Sequence, residues 1–343
     1  MPADNVHLFT PLTLRGVTMR NRVWISPMCQ YSVFNQDGIA TDWHLVHLGS
    51  RAVGGAGLVV VEATAVEGRG RISAEDLGLW NDRQGEALAR VARFLAEHGA
   101  TPAIQIAHAG RKAGVAGAIA PSPIPFSEQT PTPQEMSQAD IEDVIRAFAG
   151  AAGRAYEAGF QVVEIHAAHG YLLHQFLSPI SNQRTDGHGG DFAHRTRFLL
   201  AVTEAVRRVW PERLPLFVRI SATDWVPGGW DVDQSVTLAC LLRERGVDLI
   251  DVSSGGTSPA QQIKLGPGYQ VPFAARIRRE AGIPTGAVGL ITEPHQADAI
   301  VREGHADAVL IGRQSLRDPY WPLRAARTLD YTTEIPFQYQ RGW

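Results

Sequence analysis

Short runs of β-branched and aliphatic residues recur along the whole chain. Between them lie stretches whose apolar residues return every three or four positions. The apolar runs are Val23–Ser26, Leu58–Val61, Thr101–Ile106, Val162–Ile165, Leu216–Ile220, Leu249–Val252, Gly286–Val288 and Ala308–Ile311. Their length and content predict eight strands. Helical spacing follows over Gly85–Glu97, Asp140–Ala158, Arg195–Val209, Val236–Arg245 and Pro294–Glu303. Ser137, with Asp140 three residues on, reads as a capping pair that opens one helix. Ala158-Gly159 and Arg245-Gly246 read as helix stops leading into the next strand.

Strands that are apolar throughout, joined by helical crossovers, call for a parallel sheet covered on both faces. Eight such units predict an α/β fold of the (β/α)8 TIM-barrel type, a single domain over residues 1–343. An open doubly wound sheet would want a glycine fingerprint just after an early strand. The densest glycine cluster, Gly54-Gly55-Ala56-Gly57, instead precedes a strand and reads as a helix-to-strand turn. Two long segments rich in glycine and proline, Gly110–Glu135 and Ser253–Val271, follow strands. They are therefore expected at the carboxyl face, where barrel enzymes build their sites.

Composition narrows the function without choosing it. The 343 residues are 44% hydrophobic and 20% charged, with a formal charge of −3. Dispersed, nearly balanced charge offers no footprint for nucleic acid or an anionic membrane surface. No apolar run approaches the roughly 18–20 residues that span a bilayer, and the start MPADNVHLFT has no signal-peptide pattern. Two cysteines, Cys29 and Cys240, supply neither a disulfide framework nor a four-cysteine metal centre. A cytoplasmic protein is expected.

On a barrel, residues just past each strand converge. Those ends bring Ser26, Pro27, Met28, Cys29 and Tyr31, then Glu62, Ala63 and Thr64, then Gln105, His108, Arg111 and Lys112. Later ends bring His166, His169, Tyr171 and His174, then Arg219, Ser253, Gly289, Gly312 and Arg313. Carboxylates are scarce in this set, which weighs against a divalent-metal hydrolase built on His166, His169 and His108, although H-x-x-H alone does not exclude one. Two neutral imidazoles on one side of a turn suit an oxygen that gains negative charge during reaction. Tyr171, a phenol at neutral pH, can give a proton. His174, one turn further on, reads as scaffold. Glycines at the last two strand ends with Arg313 suit a phosphate, and a buried Arg219 needs an anionic or electron-rich partner.

These residues sit in stretches that resemble the old yellow enzyme family of FMN-dependent ene-reductases, in its cysteine-containing, thermophilic-like subclass. The stretches include LFTPLTLRGVTMRNRVWISPMCQYS, IQIAHAGRKA, EIHAAHGYLLHQFLSPISNQRTDGHGG, FVRISATDW, GVDLIDVSSGG, LIGRQSLRDP and YQRGW. The resemblance is collinear and nearly full-length. It implies an NAD(P)H-dependent flavin oxidoreductase that reduces the activated C=C bond of α,β-unsaturated carbonyls or nitroalkenes by ping-pong hydride transfer through FMN. Ser26, Pro27, Met28 and Cys29 would lie along the flavin, Ala63 and Gln105 at its pyrimidine half, and Arg219 near N1. His166 also counts among the cofactor contacts, and Gly289, Gly312 and Arg313 would hold the phosphate. His166 and His169 would bind the substrate oxygen while Tyr171 protonates the substrate. Cys29 would tune the flavin, and Tyr31 and Lys112 would form pocket walls. Arg341, in the tail 331–343, would reach a neighbouring subunit's site, which implies a homo-oligomer, dimer or tetramer. NADPH or NADH would be the reductant. A flavin-binding redox sensor centred on Cys29 is the alternative within the same resemblance.

Overall fold

The computed structural model describes residues 6–343. Eight parallel strands close into a barrel in which each strand pairs with its sequence neighbours and the last pairs with the first. They are β1 (Val23–Ile25), β2 (Leu58–Ala65), β3 (Thr101–Ala107), β4 (Val162–Ala167), β5 (Leu216–Ser221), β6 (Leu249–Ser253), β7 (Thr285–Ala287) and β8 (Ala308–Ile311). The (β/α)8 architecture expected from the alternating pattern is the one observed. Every residue of these strands is buried, because the barrel interior and the helical ring cover both faces. Trp24 and Phe217 stack with ring centroids 5.7 Å apart and fill part of the core.

Helices cover the barrel where the apolar spacing placed them. Gln138–Glu157 opens on a reciprocal cap, Ser137 Oγ accepting from the Asp140 amide at 3.2 Å while the Asp140 carboxylate accepts from Ser137 N at 3.0 Å. The stops Gly159 and Gly246 both take positive φ, 90° and 80°. Gly54–Gly57 links the helix Asp42–Val53 to β2, as a turn. A Cβ on Gly54 would lie 2.1 Å from the Pro319 carbonyl oxygen, so the turn packs directly on backbone.

Three features differ from the sequence reading. β2 runs on to Ala65 through a register shift between Val61 and Thr64, a bulge that lets polar Glu62 and Thr64 sit within a strand. A hairpin, Leu12–Leu14 with Val17–Met19, precedes the barrel. The long segment after β3 carries a two-residue parallel ladder, Ile119–Ala120 with Gln134–Glu135. No helix among the described residues is long and apolar enough to cross a membrane.

Candidate active site

The strand ends at the carboxyl face surround a cavity of about 360 Å³, within the range of small-molecule sites. Arg219, His169, Ser253, Gly289, Gly312 and Arg313 line it. Four residues expected to hold a cofactor therefore meet in one space. Gly289 has φ 119°, and a Cβ there would strike the Gln270 amide at 2.7 Å. At Gly312 the situation is opposite: a Cβ would meet only Met28 Sδ, at 4.0 Å. Open space above a glycine backbone lets amide groups face an anion, and exposed Arg313 stands beside it.

Next to this cavity β4 runs into the turn His166–Tyr171. His166 and His169 lie edge to face with centroids 5.1 Å apart, and the Tyr171 ring lies 5.1 Å from His166. The Ala168 amide donates to His166 Nδ1 at 3.3 Å, which leaves the His166 proton on Nε2. His169 sits at φ 60°, a left-handed conformation uncommon outside glycine. It is held there because its amide donates to Ser221 Oγ at 2.9 Å and its carbonyl accepts from Lys112 Nζ at 2.8 Å. Gly170 and Gly256 let the turn after β4 touch the turn after β6, since a Cβ on Gly170 would lie 2.2 Å from the Gly256 oxygen.

Burial governs the charge states here. It pushes both histidines well below the usual imidazole range, with Arg219 adding to the effect, so both are neutral. Burial raises the Tyr171 phenol, helped by Cys29, Tyr31 and Asp76 nearby. Cys29 is likewise raised by burial and then by Glu62, and is held as a thiol. The Tyr31 phenol nearby is pushed up to about 12 by burial and then by Cys29. Lys112 is lowered to about 8 by burial and by Arg111.

Several placements refine the sequence reading. One His169 nitrogen, Nε2, is engaged with Ser253 Oγ at 2.7 Å, so Nδ1 is the atom left to face a ligand. Gln105 Nε2 donates to Glu164 Oε1 at 2.7 Å, leaving its carbonyl oxygen as the free acceptor. Lys112 is no free cation: Nζ donates to the carbonyls of His169 and Gly256 and lies 4.8 Å from the Tyr171 ring centre. Arg219 has Ser26 Oγ at 3.1 Å from Nη1 and Asp251 Oδ2 at 3.2 Å from Nε. His108 Nε2 is paired with Glu67 Oε1 at 2.8 Å. Buried His174 meets Asp224 at 3.0 Å. Arg341 is exposed on the tail and is not brought to its own chain's cavity. Tyr269 and Gln270, from the loop before Val271, line the cavity without having been singled out. Their loop was placed at the correct face, but nothing local marked these two positions. Among the described residues no group of three or more His, Cys, Asp or Glu side chains could hold a metal ion.

An anion-accepting end of glycine backbone and arginine, continuous with a second guanidinium and a neutral donor pair, fits FMN, with Gly312 leaving the room that cofactor needs. The fold and site thus define a flavin-dependent oxidoreductase on a β/α barrel. The model of the NADH:flavin oxidoreductase / NADH oxidase family matches residues 7–331, and the chain belongs to that family, which includes the old yellow enzymes. It is 56% identical to an NADPH dehydrogenase of Geobacillus sp. (strain WCH70), over 98% of each chain. Identity to an NADPH dehydrogenase of Bacillus subtilis (strain 168) is 49%, over 98% of this chain and 99% of the relative. Among solved structures, morphinone reductase superposes with TM-score 0.81 at 27% identity, over 97% of this chain and 92% of that one. A 2-naphthoyl-CoA reductase superposes with TM-score 0.88 at 26% identity; 94% of this chain matches 52% of that longer chain.

Proposed function

We propose that the protein uses NADPH to reduce the activated C=C bond of α,β-unsaturated carbonyls or nitroalkenes. The observation that carries this reading is the neutral pair His166 and His169 beside a phenol that stays protonated, all next to the cavity lined by Arg219. FMN, when bound, would supply the redox chemistry between NADPH and the substrate alkene. Ser26, Pro27, Met28, Ala63, Gln105, His166 and Arg219 would hold the flavin ring, and Gly289, Gly312 and Arg313 its phosphate. His166 Nε2–H and His169 Nδ1 bind the substrate oxygen. For His169 to donate from Nδ1, Ser253 must give its own proton to Nε2, so the serine selects the productive tautomer. As negative charge gathers on the oxygen the two donors stabilise it, and Tyr171 delivers a proton to the α-carbon. Cys29 adjusts the flavin from beside Tyr31, and Tyr31 and Lys112 wall the substrate space.

The relatives' names support NADPH as the reductant. Two free cysteines fit a reducing, cytoplasmic setting. The exposed Arg341, on a tail that also exposes Phe337, supports a homo-oligomer in which the tail reaches a neighbour. Arg341→Ala should then raise the enone KM without altering FMN content.

Anaerobic NADPH titration of the yellow holoenzyme, followed by turnover with cyclohexenone, tests the function. Bleaching of the flavin band by NADPH and its return on adding enone is the expected result. Bleaching with no return would favour a redox sensor built on Cys29. A pH effect follows from Lys112. Below about 8 its ammonium holds the His169 and Gly256 carbonyls. As pH rises through that value the charge is lost and the tether weakens, so the enone KM should climb. Lys112→Met should flatten the climb; an unchanged profile in that variant would assign it elsewhere.

A further inference from the structure

Below the cavity the barrel interior holds two acids that the reaction above does not use. Glu164 on β4 and Asp251 on β6 are fully buried and flank Arg219 on β5. Asp251 is in register with Arg219, and its Oδ2 lies 3.2 Å from Nε. Glu164 Oε1 accepts from Gln105 Nε2. The remaining oxygens, Glu164 Oε2 and Asp251 Oδ1 and Oδ2, have no hydrogen-bond donor among the described residues.

Two buried carboxylates facing a single guanidinium cannot both stay ionised without large cost. Burial raises both acids, while Arg219 opposes the rise. One proton shared between them supplies the missing donor. Asp251 touches the guanidinium and keeps the negative charge, and Glu164 keeps the proton. The groups acting on the pair are Arg219 from β5 and the Gln105 amide from β3; Gly286 of β7, in register with Asp251, brings no side chain.

We propose that Asp251 is a positioning residue that anchors Arg219 at the cofactor cavity and, through its single negative charge, lowers the reduction potential of bound FMN, with Glu164 as the neutral partner. The inference rests on the reading that Arg219 faces the flavin ring. Reduced flavin carries more negative charge than oxidised flavin, so Arg219 favours the reduced form and Asp251 opposes it. At an effective dielectric near 20, a unit charge behind the guanidinium would change such an equilibrium by about ten- to a hundredfold.

The test is a potentiometric titration of purified holoenzymes near neutral pH against a redox dye. At a fixed potential, Asp251→Asn should raise the ratio of reduced to oxidised flavin by about ten- to a hundredfold. Glu164→Gln, which mimics the protonated acid, should stay within about threefold of the parent, well below that range. Arg219→Met should lower the ratio. An unchanged ratio in Arg219→Met overturns the placement of Arg219 at the flavin. A shift there with none in Asp251→Asn overturns the present inference alone. An effect of Glu164→Gln as large as that of Asp251→Asn overturns the assignment of the charge to Asp251. Should Asp251→Asn not fold, Asp251→Ser removes the same charge, leaves space, and must show the same rise.

Discussion

Tyr171→Phe is expected to slow enone-dependent reoxidation of the flavin by about a hundred- to ten-thousandfold, the usual worth of a positioned general acid. Reduction of the flavin by NADPH should keep its parent rate. The substitution removes one oxygen and keeps the ring, so the edge-to-face contact with His166 and the seat of Lys112 Nζ remain. Loss of activity would therefore report the proton, not a collapsed site. Burial and the neighbours Cys29, Tyr31 and Asp76 all raise this phenol. It stays protonated throughout the range in which the enzyme can be assayed, so its own ionisation should leave no mark on the pH profile. Stopped-flow measurement of the two half-reactions separately decides the matter. Equal slowing of both would remove Tyr171 as the proton donor.

The barrel was legible because each of its strands contains a short, mainly apolar run, and each segment between strands carries a helical period or a glycine-rich turn. Where the sequence reading fell short, local polarity or shortness was the reason. β2 looked four residues long because Glu62 and Thr64 break the apolar run, and only the bulge reveals them as strand. The hairpin Leu12–Met19 was readable in retrospect, as alternating Leu-Thr-Leu and Val-Thr-Met around Arg15-Gly16, with Arg15 at φ 48°. The ladder at Ile119–Ala120 joins two residues to two others across a long loop, and no local pattern encodes it.

For the site, sequence reasoning found the groups that share one turn. His166, His169 and Tyr171 are near in sequence and so near in space. Glu164 and Asp251 could have been found by the two-residue period of strands: Glu164 lies two before His166, and Asp251 lies two before Ser253, on the same faces. What no local pattern carries is the web of long-range contacts that fixes His169. Ser221, Ser253 and Lys112 reach it from three other strand ends.

Behind that web stands buried Asp224, and Asp224→Ala should destabilise the protein by about 3–5 kcal/mol, because the Ser178 hydroxyl and the Trp230 amide lose a charged acceptor worth about 1.5–3 kcal/mol to each. Burial alone would raise the Asp224 carboxyl, but His174 and the hydrogen bonds from Ser178 and Trp230 outweigh it and hold the group at about 2. Its Oδ1 lies 3.0 Å from His174 Nε2, and its Oδ2 accepts from Ser178 Oγ at 2.6 Å and the Trp230 amide at 2.8 Å. On the other side of the imidazole the Gly170 amide donates to Nδ1 at 2.8 Å. Asp224 thereby fixes the ring that fixes the turn between His169 and Tyr171. The folded state holds this carboxyl below its unfolded value near 3.8. Its contribution is thus complete above about pH 4 and is lost as pH falls through about 2, where both states are protonated. Urea unfolding at neutral pH should show the deficit, and the gap between the parent and Asp224→Ala curves should narrow as the pH is lowered towards 2. Asp224→Asn, which keeps an acceptor oxygen, should lose less than the alanine variant; equal losses would mean that packing, and not the hydrogen-bonded charge, holds the turn.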